Sequence, residues 1–239
     1  TLSSSSAASD VYKRQERGQT VGRAVVRPVG ASGPAWAPGA GPAEVLAAVD
    51  GRAVRVRRDL REEGQRLAAA CAQVPGLPVD AGPVGEIGQV LELLVALHDA
   101  TPPVPVEWPK GAEVQVRRAS GGGGGSSLSV SVKRAGDWFA ATGKLVVDDT
   151  LAVPLAELAA RLLDATGRFV RLDDGSWLAL TESLRRKLDA VARAGRPAGP
   201  GLEVHGLASD LVAELLEEAG RTRTDEGWRA HVARRAALP

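Results

Sequence analysis

Arg168-Phe169-Val170-Arg171-Leu172-Asp173-Asp174-Gly175-Ser176-Trp177-Leu178-Ala179-Leu180-Thr181 is the stretch that decides the fold class. Residues 168–172 and 177–180 are apolar-rich runs separated by Asp-Asp-Gly, the residue types a tight turn between antiparallel strands requires. Thr181 opens a helix, and Leu184, Leu188 and Val191 follow at helical spacing on one face. A hairpin that feeds straight into an amphipathic helix puts both kinds of element in one short span. The chain therefore reads as α+β, with short antiparallel strands and hairpins packed with amphipathic helices.

Working upstream, residues 154–164 form an amphipathic helix with Leu155, Leu158, Leu162 and Leu163 inward. Residues 137–148 read as two short strands around Thr142-Gly143. Residues 112–117 and 127–133 alternate on either side of Gly121 to Gly125 and read as a hairpin with a flexible loop. Pro102, Pro103 and Pro105 end a helix over residues 86–98 that carries a wide apolar stripe. Earlier still come a helix over residues 58–74, a strand over 53–57 in which apolar and basic residues alternate, and a short helix over 42–49 opened by Pro42. Downstream, Gly195 to Gly201 reads as a linker before two helices, about residues 208–220 and 225–236. Two small units result: a mainly helical one over 42–101 and an α+β one over 106–194, followed by C-terminal helices over 202–239. Residues 16–41 are rich in Gly and Pro and are expected to be poorly ordered.

The 239 residues include 30 Lys+Arg against 29 Asp+Glu, for a formal charge of +1, so no global field attracts nucleic acid or anionic lipid. No run approaches the roughly 18 apolar residues that span a bilayer, and a cytoplasmic location is expected. Cys71 is the only cysteine, which excludes an internal disulfide and a cysteine-based zinc site. The chain has no Met, and we expect it to be part of something longer. Its opening, residues 5–15, reads SSAASDVYKRQ and looks like a translated sequencing adapter, so residues 1–15 are taken as a non-native tail. Without that tail the acidic and basic residues are equal in number.

The candidate chemistry is thin. The glycine run lacks the Lys of a phosphate-binding loop and leads into a strand pattern, so it reads as a loop or linker. His98, His205 and His231 have no i, i+4 partner and give no metal motif. Asp173-Asp174 is turn chemistry before Gly175, and Cys71 lies on an apolar helix face as a small hydrophobe. No catalytic, cofactor or metal residue is assigned. The basic clusters carry more: Arg52, Arg55, Arg57, Arg58 and Arg61, then Arg117-Arg118 with Lys133-Arg134, then Arg185-Arg186-Lys187. Arg55 and Arg57 share one side of a strand, and with Arg58 they form a candidate nucleic-acid contact. Asp59, Glu62 and Glu63 follow at once, which also fits a mixed solvated face.

Four groups of residues extend the reading by resemblance. These are Asp50-Gly51-Arg52-Ala53-Val54-Arg55-Val56-Arg57-Arg58-Asp59-Leu60, Val106-Glu107-Trp108-Pro109-Lys110-Gly111, Asp137-Trp138-Phe139, and Arg168 to Gly175 with Leu178-Ala179-Leu180-Thr181 and Leu184-Arg185-Arg186. In this order they resemble the region just upstream of the motor in bacterial SWI/SNF-type ATPases, superfamily-two helicase relatives that translocate on double-stranded DNA. The resemblance runs from Pro42 to Pro239, and the Gly121 to Gly125 run departs from it as a local expansion. It implies a non-catalytic accessory region that positions DNA or partners for a motor outside this chain. ATP and magnesium would belong to that motor, and the partners implied are the motor itself and double-stranded DNA. The alternative is a stand-alone protein-interaction module without a motor.

Overall fold

The computed structural model describes residues 7–12, 20–31, 33–49, 51–119 and 127–237. It divides into two compact units, Thr1–Val114 and Gln115–Pro239, each mixing helices and strands, so the α+β class holds. No helix among the described residues is long and apolar enough to cross a membrane.

The first unit contains β1 (Ala7–Tyr12), β2 (Thr20–Val26), β3 (Glu44–Val49), β4 (Arg52–Arg57), α1 (Leu60–Gln73), β5 (Gly82–Gly85), α2 (Ile87–Asp99) and β6 (Val106–Glu107). Four strands form a sheet in the order β5-β2-β1-β6, while β3 and β4 pair only with each other. Strand β1 falls within the stretch read as an adapter, and β2 gives regular structure to part of the Gly/Pro-rich segment. Residues 44–49, expected to be helical, are instead a strand. The run is short and apolar, Gly51 supplies a turn at φ 76°, and each residue from Glu44 to Val49 has a partner between Arg57 and Arg52. Helix α1 begins at Asp59, whose carboxylate accepts from the Glu62 amide at 2.9 Å, a side-chain N-cap. Val74, Leu77, Leu93, Leu97 and Ala100 form a buried cluster with Cys71 packed partly against it. Cys71 therefore behaves as the small hydrophobe its helix face suggested.

The second unit contains β7 (Val116–Arg118), β8 (Leu128–Ala135), β9 (Trp138–Val146), β10 (Ala152–Pro154), α3 (Leu155–Arg161), β11 (Phe169–Arg171), β12 (Trp177–Ala179), α4 (Glu182–Ala194), β13 (Gly195–Ala198), β14 (Gly201–His205), α5 (Ser209–Glu218), β15 (Arg221–Thr224) and α6 (Glu226–Ala236). A six-stranded sheet runs β13-β14-β9-β8-β15, with β10 added alongside β9. Alternation along these strands buries Leu128, Val130 and Val132 of β8, Phe139, Ala141 and Leu145 of β9, and Leu202 and Val204 of β14. Helices α3 to α6 cover that face with Leu155, Leu158, Leu184, Leu188, Leu215 and Trp228. Burying one such side chain contributes roughly 1.5–3 kcal/mol. Leu163, expected to face inward, lies within a short 3-10 turn, Leu162–Asp164, and is 75% exposed, because the tighter winding shifts the helical phase.

Three expected connections differ. Strand β9 is one nine-residue strand, and the turn lies before it at Gly136, where φ is 66°. Strand β8 pairs with β9, while β7 pairs in parallel with β12, so β7 and β8 are not the two arms of the expected hairpin. The 195–201 linker is the start of a hairpin, β13 and β14, with Gly199 at φ 54° between them. The expected hairpin at 168–180 forms as β11 and β12, closed by Gly175 at φ 82°. The Asp174 carboxylate accepts from the Ser176 amide at 2.9 Å and from its hydroxyl at 2.6 Å, which is turn chemistry and no acid-base pair.

Candidate functional site

The β3–β4 hairpin displays the first basic cluster. Register places Glu44 opposite Arg57 and Leu46 opposite Arg55, so these four side chains share one face, on which Leu46 is 76% exposed. Arg55 and Arg57 are exposed, and Arg55 pairs diagonally with Glu44. A cationic face with one carboxylate can meet phosphate oxygens.

Arg58 leaves this face and is corrected out of the candidate contact. Its side chain is fully shielded, and its guanidinium donates to both carboxylate oxygens of Glu63, at 3.0 and 2.6 Å. It also donates to the carbonyls of Ala37 at 3.1 Å, Ala40 at 2.9 Å and Pro42 at 3.3 Å. The Trp36 ring lies 5.6 Å from the guanidinium carbon, and the Gly39 amide donates to Glu63 at 3.0 Å. Arg58 and Glu63 thus tie the loop at residues 37–42 to the start of α1. Every donor of Arg58 that a phosphate would need is directed inward.

The second unit holds an open cleft of about 780 Å³ at the β8–β9 turn. Arg134 and Asp137 enter from that turn, Phe139 from β9, His205 from the end of β14, and His231 and Arg235 from α6. Two of the three histidines are therefore brought together, although their separation in sequence carries no signal of it. His98 lies in the first unit, exposed at the end of α2 and 3.7 Å from Asp99.

His231 is held by its surroundings. Its ring centroid is 4.8 Å from that of Phe139, which in turn meets Trp228 edge-on at 4.9 Å. His231 Nε2 lies 3.1 Å from the Gly206 carbonyl and 3.0 Å from Ser209 Oγ. A carbonyl only accepts, so that bond places the proton on Nε2 and leaves no base directed at the serine. Ser209 is also 2% exposed, out of reach of a substrate. The pair has the members of a nucleophile and base without their geometry, and it docks α6 against the turn at residues 206–208. Arg235 does similar work: it donates to the Leu207 carbonyl at 3.1 Å and to Asp210 at 2.6 Å.

A second polar knot joins loops of the same unit. Arg117 donates to Asp148 at 2.8 Å and to Asp174 at 2.9 Å. Asp148 also accepts from the Thr150 hydroxyl at 2.7 Å, the Thr150 amide at 2.8 Å and the Leu151 amide at 3.0 Å. The Thr150 bonds lead in holding its pKa down to about 2, with Arg117 adding to them. The Ser176 bonds and Arg117 lower that of Asp174.

No group of three His, Cys, Asp or Glu suited to a metal occurs among the described residues. The Gly121 to Gly125 run lies outside the described residues, and the chain after it enters strand β8. Sets two and three of the basic residues are also separated by the fold: Arg117 is in the polar knot, Lys133 and Arg134 flank the β8–β9 turn, and Lys187 pairs with Glu218 at 3.1 Å. No protein family, curated protein or solved structure matches the chain.

Proposed function

We propose that the chain is a non-catalytic accessory region of a bacterial SWI/SNF-type helicase-like ATPase, positioning DNA or protein partners for an ATP-driven double-stranded DNA translocase. The observation that carries this reading is the convergence of its residue groups. Phe139, from one resembling group, and Val170, Leu172, Leu178, Leu180 and Leu184, from another, enter one hydrophobic core. A shared core is what an inherited folding unit requires, since its parts must be kept together to keep the fold. The role is to bind and orient. Nucleotide and magnesium belong to the motor, and a cytoplasmic, nucleoid-associated location follows from DNA as substrate.

Two measurements test it. Reading the source gene downstream of the Pro239 codon is expected to show a nucleotide-binding motor in frame, whereas an in-frame stop soon after that codon would overturn the assignment. The purified chain is expected to show no DNA-stimulated ATP hydrolysis, and measurable turnover would refute its non-catalytic role. A stand-alone interaction module is the second reading, favoured by the exposed Leu46 and by Leu207, which is 81% exposed beside the cleft.

A further inference from the structure

The side of the six-stranded sheet that the helices leave open has a composition of its own. Register fixes its members, because paired residues on neighbouring strands point to the same face. Ser129 and Ser131 of β8 pair with Arg221 and Arg223 of β15 on one side, and with Lys144 and Thr142 of β9 on the other. Lys133 continues the β8 row opposite Ala140. Trp138, Ala140 and Thr142 then pair with His205, Glu203 and Gly201 of β14, and Glu203 pairs with Arg196 of β13. Distances across the strands agree with this assignment. The Arg196 guanidinium lies 4.3 Å from the Trp138 ring centre, His205 meets Trp138 edge-on at 5.2 Å, and Arg196 bonds Glu203 at 2.8 Å.

This face carries Lys133, Lys144, Arg196, Arg221 and Arg223 against the single carboxylate of Glu203, although the whole chain is only +1. Asp225, at the start of α6, is near enough to Lys133 to feel its charge. Lys144, Arg221 and Arg223 are exposed and have no ion-pair partner among the described residues. Arginines on an edge strand guard against edge-to-edge pairing, which accounts for β15. That role does not account for Lys133 and Lys144, which stand on interior strands. Between the cations the face is made of Ser129, Ser131, Ala140, Thr142 and Gly201, all small, so the long basic side chains rise above a low floor.

We propose that this open sheet face is a docking platform for the phosphate backbone of duplex DNA. From β13 to β15 the cations span four inter-strand spacings, about 19 Å, enough to meet phosphates on both sides of a major groove about 12 Å wide. The exposed aliphatic side chains on this face, Ala135, Ala152 and Pro154, are small and offer little to enter a bilayer, which disfavours a membrane surface. Phosphate binding of this kind fixes orientation without reading sequence. The inference deepens the accessory reading and rests on its DNA-positioning role.

The test is fluorescence anisotropy of the full chain with a labelled duplex of about 20 base pairs, titrated from about 50 mM salt upward. Three charge reversals, Lys144→Glu, Arg221→Glu and Arg223→Glu, are expected to weaken binding about tenfold or more. They should also flatten the slope of log K against log salt by nearly three, about 0.9 for each phosphate no longer neutralised. The Lys144→Arg, Arg221→Lys, Arg223→Lys variant is expected to bind as the parent does, and an unchanged melting temperature shows that each variant is folded. Three outcomes overturn the proposal: no duplex binding by the parent chain, weakening confined to Arg55→Glu and Arg57→Glu on the hairpin, or an equal weakening of binding to phosphatidylserine vesicles. The second of these moves the DNA site to the hairpin and leaves the accessory reading standing. That reading falls separately, on the downstream gene sequence.

Discussion

Arg58 and Glu63 are joined by two parallel bonds, Nε to Oε1 at 3.0 Å and Nη2 to Oε2 at 2.6 Å, with the Arg58 side chain fully shielded from solvent. A shielded pair of this kind is costly to break from one side, because the remaining charge stays in place without a partner. Arg58→Met is therefore expected to destabilise the first unit by about 3–5 kcal/mol. Glu63→Gln should fall in the same direction, and the double variant should cost less than the two single changes added together. Urea denaturation measures all three. A destabilisation below about 0.5 kcal/mol for Arg58→Met, the size of an ordinary surface change, would show that the loop at residues 37–42 is held by something else.

The hairpin gives a different expectation for the neighbouring arginines. Arg55 and Arg57 are exposed, so reversing both to Glu is expected to leave the melting temperature nearly unchanged. If they meet DNA, the same change lowers duplex affinity, more at low salt than at high salt, and reduces the salt slope by about 0.9 per phosphate. Arg58 is left intact in this variant, since its removal would mix a folding defect with a binding one. Anisotropy and a thermal scan on the same preparation separate the two effects.

Acid stability depends on Asp148. Its folded-state pKa, about 2, lies below the ordinary 3.8 because of the bonds from Thr150, with Arg117 and Leu151 adding to them. A carboxylate lowered on folding contributes stability that is fully present above about pH 4 and is lost as the pH falls toward 2. Asp174 and Asp225 are shifted in the same direction. Asp148→Asn is expected to lower stability at neutral pH and to make the acid limb of the stability curve shallower. Denaturation midpoints taken between pH 2 and pH 7 check it, and a parallel displacement of the whole curve would exclude Asp148 as a source of the slope.

Trp228 anchors α6 by its edge-on packing against Phe139, and it is 4% exposed. Trp228→Ala is expected to cost about 3–5 kcal/mol, in the range for removing a buried aromatic side chain. Limited proteolysis should then cut first around residues 225–236, while the β11–β12 hairpin remains protected. Early cleavage inside that hairpin would mean that α6 and the sheet do not come apart separately.

Much of this architecture is legible where local pattern and burial agree. Thr181 and Asp225 predict helix starts, and their side chains accept from the Leu184 and Trp228 amides. The Asp-Asp-Gly turn predicts the hairpin for the same reason, since turn chemistry is local. Strands whose partners are distant are not legible. Arg221–Thr224 has no apolar alternation, and it is a strand because β8 offers it an unpaired edge. Gly201–His205 is five residues long and has the sequence of a linker's tail, yet it is an interior strand between β9 and β13. Residues 44–49 suit either helix or strand, and the turn at Gly51 decides between them.

The candidate sites divide in the same way. Arg55 and Arg57 can be placed on one strand side by counting residues. The inward turn of Arg58 cannot, because it depends on Glu63 and on three carbonyls of a loop up to 21 residues earlier. The cleft draws His205 and His231 from separate segments, and the open sheet face draws its cations from strands β8, β9, β13 and β15. Neither has any spacing to read along the chain.

The parallel pairing of β15 with β8 brings residues 221–224 back to residues 129–132. As the chain emerges during synthesis, β8 and β9 can pair early, but the outer edge of β8 waits until nearly the whole second unit has been made. For that interval it presents unpaired amide and carbonyl groups, a template for the wrong strand or for another nascent chain. The last-made strand is then a closing seam, and a polypeptide cut short before Arg221 would be expected to aggregate, not merely to lose a helix.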